Sequence, residues 1–397
     1  MFSSLKIKEF RIYWFGMVVS LVGTWMQQMA QSWLVFELTN SGFFLGVVGF
    51  FSSIPIFLFS LFGGAIADKY PKRNLLIITQ VLFMASSLIL GLLTSLKMVT
   101  VTQIIIIALA NGLIMAFDAP TRQSIVMELV GKNNIANAIA LNSAAFNSAR
   151  IIGPALAGIF VSLIGIEGCF YANGISFLAV IFALFLIHPR QTKLNNNNVL
   201  ADLLAVKNFI LTNRNIRNFI YIVSIASLFG TGHLILMPIF ADNVFRAGAF
   251  GLGVMMSFNG VGALLGAFIL AALSNYKYKG KLLVLASIGF SAFLFLFGLS
   301  TNFLLSCFLL GLVGFSSVLA VSLINTLLQI NVPDELRGRV LSVFMIAFAG
   351  FLPFGNLFSG LAAQFLGAQI SVLIGASLCF LLFIWLFISN KELKRFS

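Results

Sequence analysis

Gly63-Gly64-Ala65-Ile66-Ala67-Asp68-Lys69-Tyr70-Pro71-Lys72-Arg73 lies between two long apolar runs, and the reading of this stretch decides the fold. It is a glycine-rich helix end, one acid, then a basic turn. The flanking runs are each long enough to cross a hydrocarbon core of about 30 Å as a helix. Similar runs recur along all 397 residues, of which 60% are hydrophobic and 9% charged. Soluble domains carry roughly 25% charged residues, so the composition is that of a protein embedded in a lipid bilayer. A β-barrel needs alternating strands of about ten residues, whereas these runs are continuous. The first run follows Lys6, Lys8 and Arg11 and is too long for a cleaved leader.

Twelve spans are expected, at about 12–36, 43–67, 74–95, 100–118, 135–164, 169–188, 216–240, 249–273, 281–300, 303–329, 338–365 and 369–389. An even number puts both termini on one side. The basic residues choose that side. Lys69, Lys72 and Arg73 follow span two; Arg122 and Lys132 follow span four; Arg190, Lys193, Lys207, Arg214 and Arg217 lie between spans six and seven. Lys277, Lys279 and Lys281, then Arg337 and Arg339, then Lys391, Lys394 and Arg395 continue the series. Only Lys97 and Arg246 fall on the opposite side, and Arg150 lies inside a span. Basic loops stay cytoplasmic, so both termini are expected there. The net charge of +13 is thereby an orientation signal, and no nucleic-acid partner is expected.

The chain divides into an N-terminal six-helix half (1–190), a linker (191–215) and a C-terminal six-helix half (216–397). The linker holds Asn195 to Asn198, and Leu200, Leu203, Leu204, Val206 and Ile210 form one side of an expected interfacial helix. The halves echo each other. Gly158-Ile-Phe-Val-Ser-Leu-Ile-Gly165 matches Gly360-Leu-Ala-Ala-Gln-Phe-Leu-Gly367, and the basic turn after span two has a partner in Lys277 to Lys281, with Asn275 in place of Asp68. Parallel six-span repeats characterise one large transporter architecture.

Catalytic signals are absent. There is no Gly-x-Ser-x-Gly, HExxH or phosphate-binding loop, and the two histidines and eleven acids form no readable nucleophile–base pair or metal cluster. Cys169, Cys307 and Cys379 sit in apolar runs as small apolar filler. No metal, no cofactor and no enzymatic activity are expected, and any pumping is secondary.

The candidate residues fall into four sets. In the opening stretch, the pair Gly63-Gly64 lets a neighbouring helix approach, with Gly64 part of the expected latch, and Asp68 stabilises a helix N-terminus by roughly 0.3–1 kcal/mol; the start of span eleven, at Asp334 to Arg339, is the candidate. Lys72 or Arg73 is expected to reach Asp118 at the end of span four, completing a gating latch. In span five, Asn147, Arg150 and Pro154 share a face, while Gly153, Pro154 and Gly158 allow a bend and a close contact. An arginine amid apolar residues costs about 2.5–3.5 kcal/mol in a membrane, so it faces water or protein. In span one, Ser20, Thr24, Gln27 and Gln31 form a polar arc; with Asn111, His233, Asn259 and Asn325 they are candidates for a weakly charged polar cavity. Glu37 and Asp118 are the two candidate proton sites.

These segments resemble the major facilitator superfamily over nearly the whole chain. Gly64-x-x-x-Asp68-Lys-x-x-Lys72-Arg73 resembles its signature loop between spans two and three, with Pro71 where a glycine is usual, and Arg150-Ile-Ile-Gly153-Pro154-Ala-Leu-Ala-Gly158 resembles the span-five motif of its antiporters. The superfamily's span-four arginine motif is absent. Gly23-Thr-Trp25-Met-Gln27-Gln28, Asp118-Ala-Pro120-Thr-Arg122-Gln and Asn137-Ala-Ile-Ala-Leu-Asn142-Ser look like the enterobactin exporter and macrolide efflux branch. The resemblance implies alternating access in a bacterial inner membrane, with a small amphipathic substrate, siderophore-like or drug-like, exported by a monomer against protons. A lipid or lysolipid flippase is the nearest alternative; a receptor and a membrane-embedded enzyme stand further off.

Overall fold

In a computed structural model the described residues are 3–189, 209–273 and 276–390. The linker run Asn195 to Asn198, the expected interfacial helix up to Lys207, Asn275 and the basic tail lie outside them. The described chain is helical: α1 (Lys8–Thr39), α2 (Gly42–Lys69), α3 (Lys72–Ser95), α4 (Val101–Ile164), α5 (Ile166–Leu186), α6 (Arg214–Ile225), α7 (His233–Ile239), α8 (Gly248–Ala272), α9 (Lys279–Leu299), α10 (Phe303–Asn331), α11 (Asp334–Leu366) and α12 (Ala368–Ser389).

These helices make twelve spans. α6 and α7 run together through a π-helical turn, Ala226–Gly230, and end in a second, Phe240–Val244, giving one span, Arg214–Val244. α4 holds two spans. Its only non-helical residue is Gly131, at φ 67° and ψ 176°, a left-handed position that costs glycine little. Residues 119–134, expected as a loop, are therefore helical apart from this joint. Thr100 and Gln103 begin α4 with a reciprocal capping box, which satisfies two backbone donors that no turn of helix can reach.

Two prolines inside α4 free carbonyls four residues earlier. Pro120 leaves the Ala116 carbonyl without its helical donor, and α2 closes on that point at Gly63, where an added Cβ would collide with Ala116 O. Asp68 is thus carried at the end of a helix seated on α4.

Two compact units result. One comprises Met1–Asn40, Phe51–Asn196 and Ala249–Val254; the other Ser41–Phe50, Asn197–Gly248 and Met255–Ser397. In the first unit, α4 passes to α5 through Gly165 (φ 82°), and Gly158 lies against Phe250. In the second, α11 passes to α12 through Gly367 (φ 90°), and Gly360 lies against Gly46. The glycines at both ends of the repeated sequence segment thus do the same two jobs in each unit: a close helix contact, then a left-handed joint. In the second unit Asn356 Nδ2 also donates to the Gly49 carbonyl at 3.1 Å.

Candidate functional site

The basic turn between α2 and α3 is wired into its own unit. Pro71 precedes α3, so Lys72 and Arg73 are its first two helical residues. Lys72, buried, holds Glu128 of α4 with Nζ–Oε1 at 2.7 Å. Arg73 ties the same turn to a third helix of the unit: its Nε donates to the Leu184 carbonyl at 2.7 Å and its Nη2 to the Phe185 carbonyl at 3.1 Å. These are last-turn carbonyls of α5, which have no helical donor, and a cation there also complements the helix dipole. Its Cζ stands 5.9 Å from the Phe185 ring centroid.

Neither cation takes Asp118, the partner the sequence reading gave them. The reason is the helical continuation of α4. Extended to Val130, α4 presents Asp118, Arg122 and Glu128 within an arc of about 120°, so Glu128 meets Lys72 and Arg122 meets Asp118. Asp118 is 1% exposed. Its Oδ2 accepts from Arg122 Nε at 2.8 Å. Its Oδ1 accepts from Thr79 Oγ1 at 2.7 Å and Gln80 Nε2 at 2.6 Å, both on α3. Three donors thus converge on one buried carboxylate. Tyr13 of α1, also fully buried, stands beside Arg122. Asp68 is exposed and makes no ion pair with a described residue; Gly64 has open space where a Cβ would stand. In the second unit Asp334 pairs with Arg337 within the first turn of α11.

The polar arc of α1 turns partly toward its own bundle. Gln27 Oε1 lies 2.6 Å from both Ser87 Oγ of α3 and Asn173 Nδ2 of α5. Gly23 makes room for this cluster, since a Cβ there would stand 2.5 Å from Asn173 Oδ1. Thr24 returns its hydroxyl to the Ser20 carbonyl, and Gln31 is half-buried. Gln28, one residue off the arc, is exposed, as is Glu37 at the end of α1.

Other intramembrane polar groups join helices. Asn111 Oδ1 accepts from Ser86 at 2.7 Å, linking α4 to α3. Asn259 donates to the Leu310 carbonyl at 3.2 Å, linking α8 to α10. Asn325 accepts from Gln329 one turn along α10. His233, buried, opens α7 with Nδ1 2.7 Å from the Gly230 carbonyl at the end of the first π turn. A carbonyl only accepts, so Nδ1 is the protonated nitrogen of this contact.

Arg150 sits near the middle of the second arm of α4, half-buried, with its guanidinium carbon 5.8 Å from the Trp25 ring centroid. Gly153 lets α1 come close: an added Cβ would lie 2.5 Å from Trp25 Cβ and 2.8 Å from the Val22 carbonyl. Asn147 is half-buried and donates to the Ser143 carbonyl. Pro154 and Gly158 face the start of α8, where a Cβ on Gly253 would stand 2.5 Å from the Pro154 carbonyl.

Sequence reasoning missed Glu128, Thr79, Gln80, Tyr13 and Trp25 as site members. For the first a signal was present: Asp118 and Arg122 are spaced i,i+4, which has value only if the helix continues.

The whole chain has relatives. The profile of the transmembrane secretion effector family matches residues 1–396. A staphyloferrin A transporter of Staphylococcus aureus is 27% identical over 94% of each chain. The multidrug efflux pump Tap of Mycolicibacterium fortuitum is 23% identical over 90% of each. The enterobactin exporter EntS of Shigella flexneri is 23% identical over 83% of this chain and 79% of its own. Among solved structures, a D-xylose–proton symporter superposes with a TM-score of 0.74 at 13% identity, covering 97% of this chain and 99% of the other. The twelve-span fold and the full-length family match together identify the chain as a multi-pass secondary transporter, a member of the transmembrane secretion effector family of the major facilitator superfamily.

Proposed function

We propose that the protein exports a small amphipathic molecule, siderophore-like or drug-like, across the bacterial inner membrane by alternating access, in exchange for protons. It works as a monomer, with both termini cytoplasmic and the halves 1–190 and 216–397 joined by 191–215. The observation that carries the reading is the end-to-end match to an export family whose relatives are a staphyloferrin A transporter, a multidrug pump and an enterobactin exporter. The weakly charged polar groups of the spans agree with a carrier of small molecules. Everted vesicles loaded by the protein with a panel of hydroxamate, catecholate and carboxylate chelators and of lipophilic dyes test it. Transport of at least one panel member is expected to stop when nigericin collapses the pH gradient. Uptake that survives the collapse sinks antiport.

Within this reading Asp68 is the latch of the basic end, exchanged between contacts as the transporter cycles, and Glu37 and Asp118 are the proton sites. A carboxylate at a helix N-terminus is worth about 0.3–1 kcal/mol, so Asp68→Asn is expected to slow transport roughly two- to fivefold with unchanged thermal stability. Wild-type flux in that variant removes the latch.

A further inference from the structure

We propose that the turn Tyr276-Lys277-Tyr278-Lys279-Gly280-Lys281 between α8 and α9 is a docking surface for the phosphate headgroup of an anionic phospholipid. The inference goes beyond the export reading and does not depend on what is carried.

The chain repeats its basic turn, and the two copies are used differently. In the first copy the protein consumes the charge. Lys72 holds Glu128 at 2.7 Å, and Arg73 donates to the Leu184 and Phe185 carbonyls of α5. In the second copy the contacts stay inside the turn. Lys279 Nζ donates to the Tyr276 carbonyl at 3.0 Å, and Lys281 Nζ stands 4.5 Å from the Tyr278 ring centroid. Lys277 is exposed. None of the three makes an ion pair with a described residue. In the same unit, Asp334 is taken by Arg337, and Asp242 precedes the opposite end of α8. Three ammonium groups so close in sequence repel one another, and Lys279 and Lys281 lie in the first turn of α9, where the helix dipole favours acids. Such a turn is stabilised by an anion from outside the described chain.

Its position selects the anion. α8 ends at Ala272 and α9 begins at Lys279, and each is long and apolar enough to span a membrane. A six-residue connection that must come back reaches no more than about 10 Å beyond the helix ends. Its side chains therefore stay beside the headgroup layer, which is about 5–8 Å deep on each side. The tyrosines suit that layer. Tyr276 and Tyr278 are 41% and 50% exposed, and their rings meet edge to face at 6.0 Å. Neither hydroxyl donates to a described residue. A ring that is apolar with a wet tip favours the membrane interface. A phosphodiester headgroup uses both the ammonium and the phenol donors, whereas a soluble acidic partner has no need of the tyrosines.

The test uses full-length protein in phosphatidylcholine vesicles doped with an equal small fraction of photoactivatable phosphatidylglycerol or photoactivatable phosphatidylcholine, with adducts mapped by peptide mass spectrometry. Wild-type protein is expected to take at least about fivefold more label from phosphatidylglycerol within residues 273–283, roughly the association gain from one lysine at an anionic surface. Combined Lys277→Gln, Lys279→Gln and Lys281→Gln is expected to bring that ratio close to one. Lys277→Gln alone, an exposed change that removes no contact, is expected to lower it at least twofold and keeps the test open if the triple variant fails to fold. Lys6→Gln with Lys8→Gln, basic residues of the other unit, is expected to leave the ratio at this turn unchanged. Raising salt from about 0.1 M to about 1 M shortens the screening length from about 10 Å to about 3 Å and is expected to erase the preference. Equal labelling by the two lipids, a preference that survives the lysine changes or high salt, or one lost as much in the Lys6 and Lys8 variant overturns the docking surface. Millimolar inorganic phosphate at constant ionic strength is expected to leave the labelling unchanged; displacement by it assigns the turn to soluble phosphate and overturns the lipid reading.

Discussion

Glu128→Ala is expected to destabilise the protein by about 3–5 kcal/mol, the usual result of leaving one partner of a buried ion pair behind. Lys72 is the partner left behind. It is 9% exposed, and its ammonium reaches Glu128 at 2.7 Å. The pair also joins the first turn of α3 to the end of the first arm of α4, so its loss loosens the anchorage of the turn that carries Asp68. The thermal midpoint of the purified variant measures the effect. A paired replacement, Lys72→Met with Glu128→Leu, should recover most of the stability, since two apolar groups of similar volume leave no orphaned charge. A Glu128→Ala protein that melts with the wild type would show that the pair carries no energy.

Asp118→Asn is expected to be nearly as damaging, for a different reason. An asparagine oxygen still accepts from Thr79 and Gln80, but its amide then points a donor at the Arg122 donor. A buried acceptor site is lost and a guanidinium is left without its counter-charge, together about 3 kcal/mol. Transport is expected to fall at least tenfold in protein that still elutes as a single folded species. Adding Arg122→Gln should restore stability by removing the uncompensated cation. If it does so without restoring transport, the carboxylate itself serves the transport cycle; if Asp118→Asn alone transports normally, the buried network is structural padding and Asp118 is no proton site. Thr79→Val, which removes one neutral donor, should cost only about 1 kcal/mol.

The fold was largely legible because a bilayer leaves few options. Span length is fixed by hydrocarbon thickness, so the apolar runs count the spans before any packing is known. The repeat was legible from two glycines in each half, Gly158 and Gly165, Gly360 and Gly367, because close contacts and left-handed joints demand that residue. The site was less so. Charge alone paired Lys72 and Arg73 with Asp118, and nothing in composition said that 119–130 is helix. That depends on tertiary support: Gly63 seated on the Ala116 carbonyl, and the ion pairs themselves. The polar arc of α1 shows the same limit. Periodicity placed Thr24, Gln27 and Gln31 on one face, but whether a face meets a cavity or sister helices is decided by Gly23, which admits Asn173 to Gln27.

Gly131 sets how the two arms of α4 communicate. An ordinary loop of several residues would absorb a tilt of either neighbour as slack. Here a single glycine separates two rods, so displacement of residues 132–164 along their axis has only one residue's dihedrals in which to dissipate. It must appear as a pull on 101–130, and there the Glu128–Lys72 pair is the first thing in its way. The consequence is a short, slack-free linkage that joins the aromatic-backed cation in the second arm of α4 to the charged turn before α3.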